Sequence, residues 1–152
     1  MPSVLFVCTA NVCRSPIAMA ILRKLVQEEG EDWWIASAGT WALKGMPATP
    51  KARLVLENHG IDISDHRSQP IDQEMIDSFD LILTMERSHK EALAAEFPHK
   101  AEQIYLLSEV IDQVYDIKDP IGMSLMDFQT TYDEIEQTLK SGLNKIRQLV
   151  KG

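Results

Sequence analysis

The chain has 152 residues, of which 45% are hydrophobic, and its formal net charge is −8. This length and composition predict one globular domain over residues 1–152 and exclude a disordered chain. No apolar run is long enough to cross a membrane and no signal-peptide pattern is present, so we expect a cytoplasmic protein. The negative charge makes nucleic acid and anionic membranes unfavourable partners.

The negative charge is concentrated in the second part of the chain. Residues 1–70 contain seven acidic and seven basic residues, whereas residues 71–152 contain sixteen and eight. An anionic substrate would therefore have to be attracted by local groups rather than by the field of the whole protein. The two cysteines, Cys8 and Cys13, are too few for a disulfide scaffold, and no histidine lies near them in the sequence to complete a zinc site. They are interpreted as reactive or redox cysteines, and neither a metal nor a cofactor is expected.

The first predicted strand and the first predicted helix are separated by a short turn. Ser3–Cys8 is a mostly apolar run, which predicts a buried strand. The triplet Arg14-Ser15-Pro16 predicts the start of a helix, with serine as the cap and proline at the first helical position. Gly30 predicts the end of this helix.

The rest of the chain continues the alternation of strands and helices. Apolar periodicity and cap signals predict a strand over Trp33–Ala38, a helix from Thr49-Pro50 to Gly60, a short helix near Asp72–Ser78, a strand over Leu81–Met85, a helix capped by Ser88 and Glu91 that ends before Pro98, a strand over Ile104–Leu107, and a final helix from Ser124 to Val150. The alternation predicts an α/β fold, with a parallel sheet covered by helices on both faces. Ligands of such sheets bind where strands end and helices begin, and the turn from Cys8 to Ser15 is the first such place.

The turn from Cys8 to Ser15 suits the chemistry of a phosphate group. Its backbone N–H groups precede a helix, whose dipole also attracts anions. Arg14 adds a planar fork that can bind two phosphate oxygens. The same environment would stabilise the nucleophilic thiolate of Cys8, to which Ser15 can donate its hydroxyl. The alternative is a cysteine that merely ends a strand beside a surface arginine, but the position between strand and helix favours an anion site.

The segment Val7–Pro16 resembles the signature loop of the low-molecular-weight protein tyrosine phosphatases, in which a cysteine is followed by five residues, an arginine and a serine. The similarity covers almost the whole chain, including Ser37–Trp41, Asp65-His66, Asp119-Pro120 and the closing helix. It implies a four-stranded parallel sheet flanked by helices in three layers. It also implies an enzyme that hydrolyses phosphotyrosine through a phosphocysteine intermediate, without a metal.

The resemblance further implies roles for individual residues. Cys8 would be the nucleophile, Arg14 the phosphate clamp and Asp119 the general acid and base. Asn11 would hold a strained loop backbone through a polar network that includes Ser37 and His66. The other phosphate- and substrate-binding positions would be Thr9, Ala10, Val12, Cys13, Ser15 and Trp41.

Three of these positions have alternative interpretations. Trp41 lies in a loop and is expected to form an apolar wall of the cleft, whereas Trp33 and Trp34 are expected to pack in the core. Cys13 is either a small buried hydrophobic residue or the partner of a reversible disulfide with an oxidised Cys8. The pair Asp119-Pro120 would be read as a plain turn if the cysteine loop were absent.

The sequence departs from the family pattern at two places, and a third position bears on substrate specificity. Ala10 replaces the usual glycine, which would add strain if this position required a positive φ. Ile121 and Gly122 replace the tyrosine pair of animal members, so the cleft should be more open and regulation by phosphorylation of those tyrosines cannot operate. Val12 replaces the threonine of relatives that act on phosphoarginine, and it therefore favours phosphotyrosine.

Three other functions compete with this interpretation. A phosphoarginine phosphatase would share the loop and the fold. A thioredoxin-coupled arsenate reductase would need further cysteines near Asp80–Arg87, where the sequence has none. A phosphocarrier module should not have Arg14 and Asp119, because these would hasten hydrolysis of its own phosphocysteine. As partners we expect phosphotyrosine-containing proteins, such as the tyrosine kinases on which bacterial members act, and we expect a monomer.

Overall fold

All residues from 1 to 152 are described by a computed structural model. Its helices and strands follow one another in the order β1 (Ser3–Cys8), α1 (Arg14–Glu28), β2 (Trp34–Gly39), α2 (Pro50–Asn58), α3 (Gln73–Ser78), β3 (Leu81–Thr84), α4 (Arg87–Glu96), β4 (Ile104–Leu106) and α5 (Leu125–Val150). Two 3-10 helices, Pro98–Gln103 and Leu107–Ile111, flank β4 and were not predicted. None of the helices combines the length and the apolar character that crossing a membrane requires.

The four strands form one parallel sheet in the order β2-β1-β3-β4. On one side of β1, Cys8 lies opposite Gly39 of β2, and on the other side Val7 lies opposite Thr84 of β3. The carboxyl ends of the three strands therefore meet at one edge of the sheet. The predicted three-layer α/β/α fold with a four-stranded parallel sheet is confirmed.

Alternate residues of β1 face the two helical layers. Val4 and Phe6 pack in the larger core, together with residues of α1, α2 and α5. Leu5 and Val7 pack in the smaller core, together with residues of α3 and α4. Every residue of β1 is buried, which explains why this strand reads as a nearly continuous apolar run rather than as an alternating one.

The helix starts show which sequence signals were reliable. Ser124 caps α5 as predicted, because its hydroxyl accepts a hydrogen bond from the Asp127 N–H. The predicted cap of α4 by Ser88 and Glu91 is wrong. Helix α4 begins at Arg87, and the imidazole of His89 accepts the backbone N–H of Glu86, the residue that precedes the helix. A histidine ring nitrogen can thus fill a capping position that the usual serine-and-glutamate pattern does not reveal.

The expectation that Trp34 packs in the core is wrong. It is the first residue of the edge strand β2, it is 48% exposed, and its ring stacks on Phe79 with the centroids 4.2 Å apart. Trp33 is partly buried against the larger core. Edge position, rather than residue type, decides the exposure of Trp34. Strand β2 pairs with β1 on one side only, so no strand covers Trp34 on the other side.

Candidate active site

The segment from Cys8 to Ser15, here called the phosphate loop, connects the central strand β1 to α1. Cys8 ends β1, and α1 begins at Arg14, with Cys13 at its cap and no side-chain bond to the cap position. Ser15 is therefore not the cap that the sequence predicted. It lies inside the first turn, and its hydroxyl contacts the sulfur of Cys8 instead.

The backbone of the phosphate loop carries a set of unused donors. The N–H group of Asn11 donates to Cys8 Sγ at 3.3 Å. The other N–H groups from Thr9 to Ser15 make no hydrogen bond within the protein. Polar groups in a protein interior are rarely left without partners, so the concentration of free N–H groups at a helix N-terminus makes this loop a candidate binding site for an anion.

The thiol of Cys8 lies beside two hydrogen-bond donors, the Ser15 hydroxyl and the Asn11 N–H group. The residue is only 3% exposed, and Sγ is 2.9 Å from Ser15 Oγ. Ser15 Oγ also accepts a hydrogen bond from Asn11 Nδ2 at 2.8 Å, which leaves its own proton free to point toward the sulfur. The hydroxyl and the Asn11 N–H group together stabilise negative charge on Cys8.

Asn11 is the centre of the polar network that holds the loop. Its φ is 60°, a left-handed conformation that Asn tolerates better than most residues. Its Nδ2 group donates to Ser15 Oγ and, at 2.9 Å, to Ser37 Oγ. Its Oδ1 atom accepts the Gln69 N–H, and its backbone carbonyl accepts Nε2 of His66 at 2.8 Å. Burial lowers the pKa of His66 and so favours the neutral ring.

The possible strain at Ala10 does not arise. Asn11 and Asp112 are the non-glycine residues with a positive φ, and Ala10 is not among them. The left-handed position of the loop lies one residue further along than was considered. Alanine at position 10 is therefore compatible with the loop conformation.

Arg14 is almost fully buried, with 1% of its surface exposed, and its guanidinium is held by hydrogen bonds from Nη1. Its Nη1 group donates to Glu86 Oε2 at 2.5 Å and to the Ile117 carbonyl at 2.8 Å. Its Nη2 group lies 3.5 Å from both Thr9 Oγ1 and Asp119 Oδ2. No protein group is bonded to Nε. The Nε and Nη2 edge is thus available for two oxygens of one anion.

Asp119 approaches the site from the segment that precedes α5. Its side chain is 37% exposed, and Oδ1 accepts the N–H of Ile121 at 3.1 Å, which closes a local turn. The carboxyl group and Ile121 line one cleft together with Cys8, Ala10, Val12, Cys13 and Arg14. A partly exposed carboxyl in the same cleft as Cys8 can exchange protons both with a bound group and with solvent.

Cys13 and Trp41 are placed differently from the residues just described. Burial raises the pKa of the Cys13 thiol to about 11, and its Sγ lies 3.4 Å from Thr49 Oγ1. Cys13 is therefore a protonated thiol at neutral pH.

The backbone N–H of Trp41 donates to the Thr9 carbonyl, while its side chain is 85% exposed and does not line the cleft around Cys8.

Four residues at the site were missed by the sequence analysis: Glu86, His89, Gln69 and Ile117. Glu86 pairs with Arg14, and the Nε2 atom of His89 lies 2.9 Å from Thr9 Oγ1. One signal could have revealed Glu86. Glu86 comes shortly after the end of β3, and the carboxyl ends of neighbouring parallel strands meet at the same edge of the sheet. Ile117 acts through its backbone carbonyl, for which the sequence carries no sign, and Gln69 acts through its backbone N–H and through Nε2, which donates to the Ser37 carbonyl.

Comparisons with known proteins agree with this architecture. The family described as low molecular weight phosphotyrosine protein phosphatase matches residues 3–151. A probable low molecular weight protein-tyrosine-phosphatase EpsP from Ralstonia nicotianae is 35% identical, over 97% of each chain. A protein-arginine-phosphatase from Bacillus subtilis is 33% identical, over 95% of this chain and 97% of its own.

A solved structure gives the same result. The low molecular weight protein tyrosine phosphatase from T. tengcongensis superposes with a TM-score of 0.91 at 38% identity, over 95% of this chain and 99% of its own. Sequence and fold therefore agree over nearly the full length. The chain belongs to the low molecular weight phosphotyrosine protein phosphatase family.

Proposed function

We propose that the protein hydrolyses phosphotyrosine in proteins, with Cys8 as the nucleophile. The observation that carries this proposal is the set of N–H groups without protein partners in the loop that begins at the buried Cys8, together with the Arg14 edge that carries Nε and Nη2. Donors of this kind can bind the three equatorial oxygens of a phosphoryl group during transfer. No titratable side chain other than Asp119 shares the cleft with Cys8, Cys13 and Arg14.

In the first step the Cys8 thiolate attacks phosphorus and the bond to the tyrosine oxygen breaks. The loop N–H groups and the Nε and Nη2 edge of Arg14 bind the phosphate oxygens and hold phosphorus in line with the sulfur. Asp119, protonated at this stage, gives its proton to the departing phenolate. The products are a phosphocysteine and a free tyrosine side chain.

In the second step Asp119, now a carboxylate, takes a proton from a water molecule as the water attacks phosphorus. The S–P bond breaks and inorganic phosphate leaves, so the Cys8 thiolate is regenerated. The Ser15 hydroxyl and the Asn11 N–H group, both within hydrogen-bonding distance of Sγ, stabilise the charge that returns to the sulfur. The cycle needs only groups that this chain supplies.

The walls of the cleft favour an aryl substrate. Ala10, Val12 and Ile121 surround the charged pair Arg14 and Asp119, and they present no hydrogen-bonding side chain. A phenyl ring packs on such walls, whereas the several N–H groups of a phosphorylated guanidinium would find only the Asp119 carboxylate as a side-chain acceptor there. Trp41, exposed beside the loop, is proposed to contact the substrate outside the cleft.

Phosphoarginine is the competing substrate, because relatives include a protein-arginine-phosphatase. Turnover of matched phosphotyrosine and phosphoarginine peptides distinguishes the two. We expect wild type to prefer phosphotyrosine and Val12→Thr to raise the phosphoarginine activity, since the added hydroxyl can orient water toward the P–N bond. Val12→Ile, which stays apolar, is the matched control. Faster turnover of phosphoarginine by wild type would overturn the assignment.

The partners that follow from this proposal are proteins that carry phosphotyrosine. The relative EpsP is named a tyrosine phosphatase, and we propose the same chemical class of substrate for this chain. A bacterial tyrosine kinase would be one such substrate. A variant with Cys8→Ser that binds phosphorylated proteins without turning them over would retain such partners, and phosphate should displace them competitively.

A further inference from the structure

His89 is a buried histidine beside the site that the mechanism above does not use. It lies in the first turn of α4 and is 5% exposed. Its ring stands between two loops that follow neighbouring strands, the phosphate loop after β1 and the turn that carries Glu86 after β3. A polar ring buried in such a position is expected to be fully hydrogen-bonded.

The two ring nitrogens of His89 have partners that fix its tautomer. Nδ1 lies 3.1 Å from the backbone nitrogen of Glu86, which can only donate, so Nδ1 must be an acceptor. The proton of the neutral ring is therefore on Nε2, which lies 2.9 Å from Thr9 Oγ1. Burial lowers the pKa of His89, which favours this neutral form.

Both partners of His89 also contact the guanidinium of Arg14. Glu86 Oε2 is 2.5 Å from Nη1, and Thr9 Oγ1 is 3.5 Å from Nη2. The contacts thus close a ring that runs from His89 through Thr9 to Arg14, and from Arg14 through Glu86 back to His89. The imidazole does not reach Arg14 itself, so it can act on the guanidinium only through these two residues.

We propose that His89 is a positioning residue for Arg14: it orients the Thr9 hydroxyl and the Glu86 backbone, and thereby keeps the Nε and Nη2 edge aimed at the phosphate. The proposal rests on the proposed function for the identity of the anion. We call the contact from His89 Nε2 to Thr9 Oγ1 the bridge. Without the bridge, the Thr9 hydroxyl is free to rotate, and the Nη2 side of the guanidinium loses a fixed neighbour. The expected consequence is weaker binding of phosphate and slower transfer.

The simpler role for His89 is that of a helix cap. That role needs only Nδ1 and the Glu86 N–H, whereas the proposed role also needs Nε2 and Thr9. Two substitutions separate them. In His89→Asn the side-chain oxygen can replace Nδ1 at the cap, but nothing reaches Thr9. In His89→Gln the longer amide can place an N–H group near the position of Nε2.

The test compares wild type with His89→Asn, His89→Gln, Thr9→Val and the double variant His89→Asn with Thr9→Val. The dissociation constant of inorganic phosphate and the kcat and KM for 4-nitrophenyl phosphate are measured for each. We expect His89→Asn and Thr9→Val each to weaken phosphate binding about tenfold. The double variant should bind phosphate no more weakly than the single variant with the larger loss, because both changes break the same contact. Partial recovery in His89→Gln is expected. His99→Gln, which changes a half-exposed histidine paired with Asp77, should leave both values unchanged.

Phosphate affinity in His89→Asn equal to that of wild type would overturn the proposal, and so would losses in the double variant that multiply. Thr9→Val carries the same test if His89→Asn does not fold. In wild type, nitrogen chemical shifts must show His89 with the proton on Nε2, and a proton on Nδ1 refutes the bridge. Failure of the proposed function looks different, since wild type would then turn over no phosphate ester while the phosphate affinities could still be compared.

Discussion

The phosphate loop and the segment that carries Asp119 meet at one cleft but are built in opposite ways. In the loop, Asn11, Arg14 and Ser15 are at most 1% exposed, and their side chains are bonded to groups from several other elements. In residues 112–124, Asp119 and Ile121 are substantially exposed and are bonded mainly to each other. The proposed phosphate site is therefore preorganised by the core, whereas the proposed acid is held by a local turn.

Ile117 is the point where the two regions are joined. Its N–H group donates to the Met85 carbonyl at 2.8 Å, and its own carbonyl accepts Nη1 of Arg14. The phosphate clamp thus also fixes the base of the acid-bearing segment. Beyond Ile117 the segment is held by the local Asp119 turn and by Lys51, which donates to the Met123 carbonyl. Changes in the loop should therefore affect all substrates, while the effect of changes near Asp119 should depend on the leaving group.

The largest effect is expected in the loop at its nucleophile. Cys8→Ser should lower kcat/KM by at least about 10⁴-fold for every phosphate ester, because a serine hydroxyl is not ionised at neutral pH and Asp119, the proposed acid of the first step, cannot also take its proton. The fold should persist, since the substitution is nearly isosteric. Steady-state assays together with thermal unfolding check both points. Normal turnover in this variant would remove Cys8 from the reaction.

The next largest effect is expected at the acid. Asp119→Ala should lower kcat/KM for a phosphotyrosine peptide by about 10²–10⁴-fold, because the phenolate must then leave without a proton. For 4-nitrophenyl phosphate, whose leaving group is stable as an anion, the loss should be far smaller. Asp116→Ala, a change in the same segment outside the cleft, is the control. Equal losses on the two substrates would show that Asp119 is not the acid.

Two glycines allow a matched comparison of the regions. A Cβ at Gly39 would overlap the Thr9 carbonyl and approach Asn11 N at 3.1 Å, so Gly39→Ala should destabilise the protein by about 1–3 kcal/mol and weaken phosphate binding. Gly122 has a φ of 76° and open space around it, so Gly122→Ala should cost about 1 kcal/mol and leave phosphate binding unchanged. Urea unfolding and phosphate titration measure the two effects. Equal phosphate affinities in the two variants would contradict the contrast.

The smallest effect is a dependence of stability on pH that comes from His66. Burial lowers the folded-state pKa of His66 below its usual 6.5, so the unfolded chain binds a proton first as the pH falls. The free energy of unfolding should therefore decrease below about pH 6.5, with a slope approaching about 1.4 kcal/mol per pH unit for this group. His89, whose pKa is lowered in the same way, adds to the slope.

His66→Gln keeps an N–H donor for the Asn11 carbonyl but removes the titration. Its stability should vary less between pH 7.5 and 5.5 than that of wild type, as measured by urea unfolding at each pH. Carboxyl groups with lowered pKa values, such as Asp127, titrate below this window and do not confuse it. An identical pH dependence in the two proteins would show that His66 is not the source.

The fold and the centre of the site could be read from the sequence because they depend on local signals. Three such signals are the apolar run of β1, the cap at Ser124 and the spacing of Cys8 and Arg14. Each of them is contained within a few consecutive residues of the sequence. The boundaries of the strands differ from the predicted ones by about one residue at their ends, which is the usual uncertainty of such boundaries.

The rest depends on which strand ends are brought together, and this is a property of the tertiary structure. Glu86 and His89 follow β3 and become relevant only because β3 lies beside β1. The left-handed residue of the loop is Asn11 rather than Ala10, and here the residue types did carry the signal, because Asn tolerates a positive φ better than Ala does. Trp34 is exposed because β2 is an edge strand, and edge position follows from the strand order.

The most direct measurement is mass spectrometry of the protein after a reaction with 4-nitrophenyl phosphate has been quenched in acid. Peptide mapping should locate one phosphoryl group on the sulfur of Cys8, and the amount trapped should rise in Asp119→Ala, where water is no longer activated for the second step. A phosphoryl group on another residue, or turnover with no trapped intermediate in either protein, would contradict covalent transfer to this sulfur.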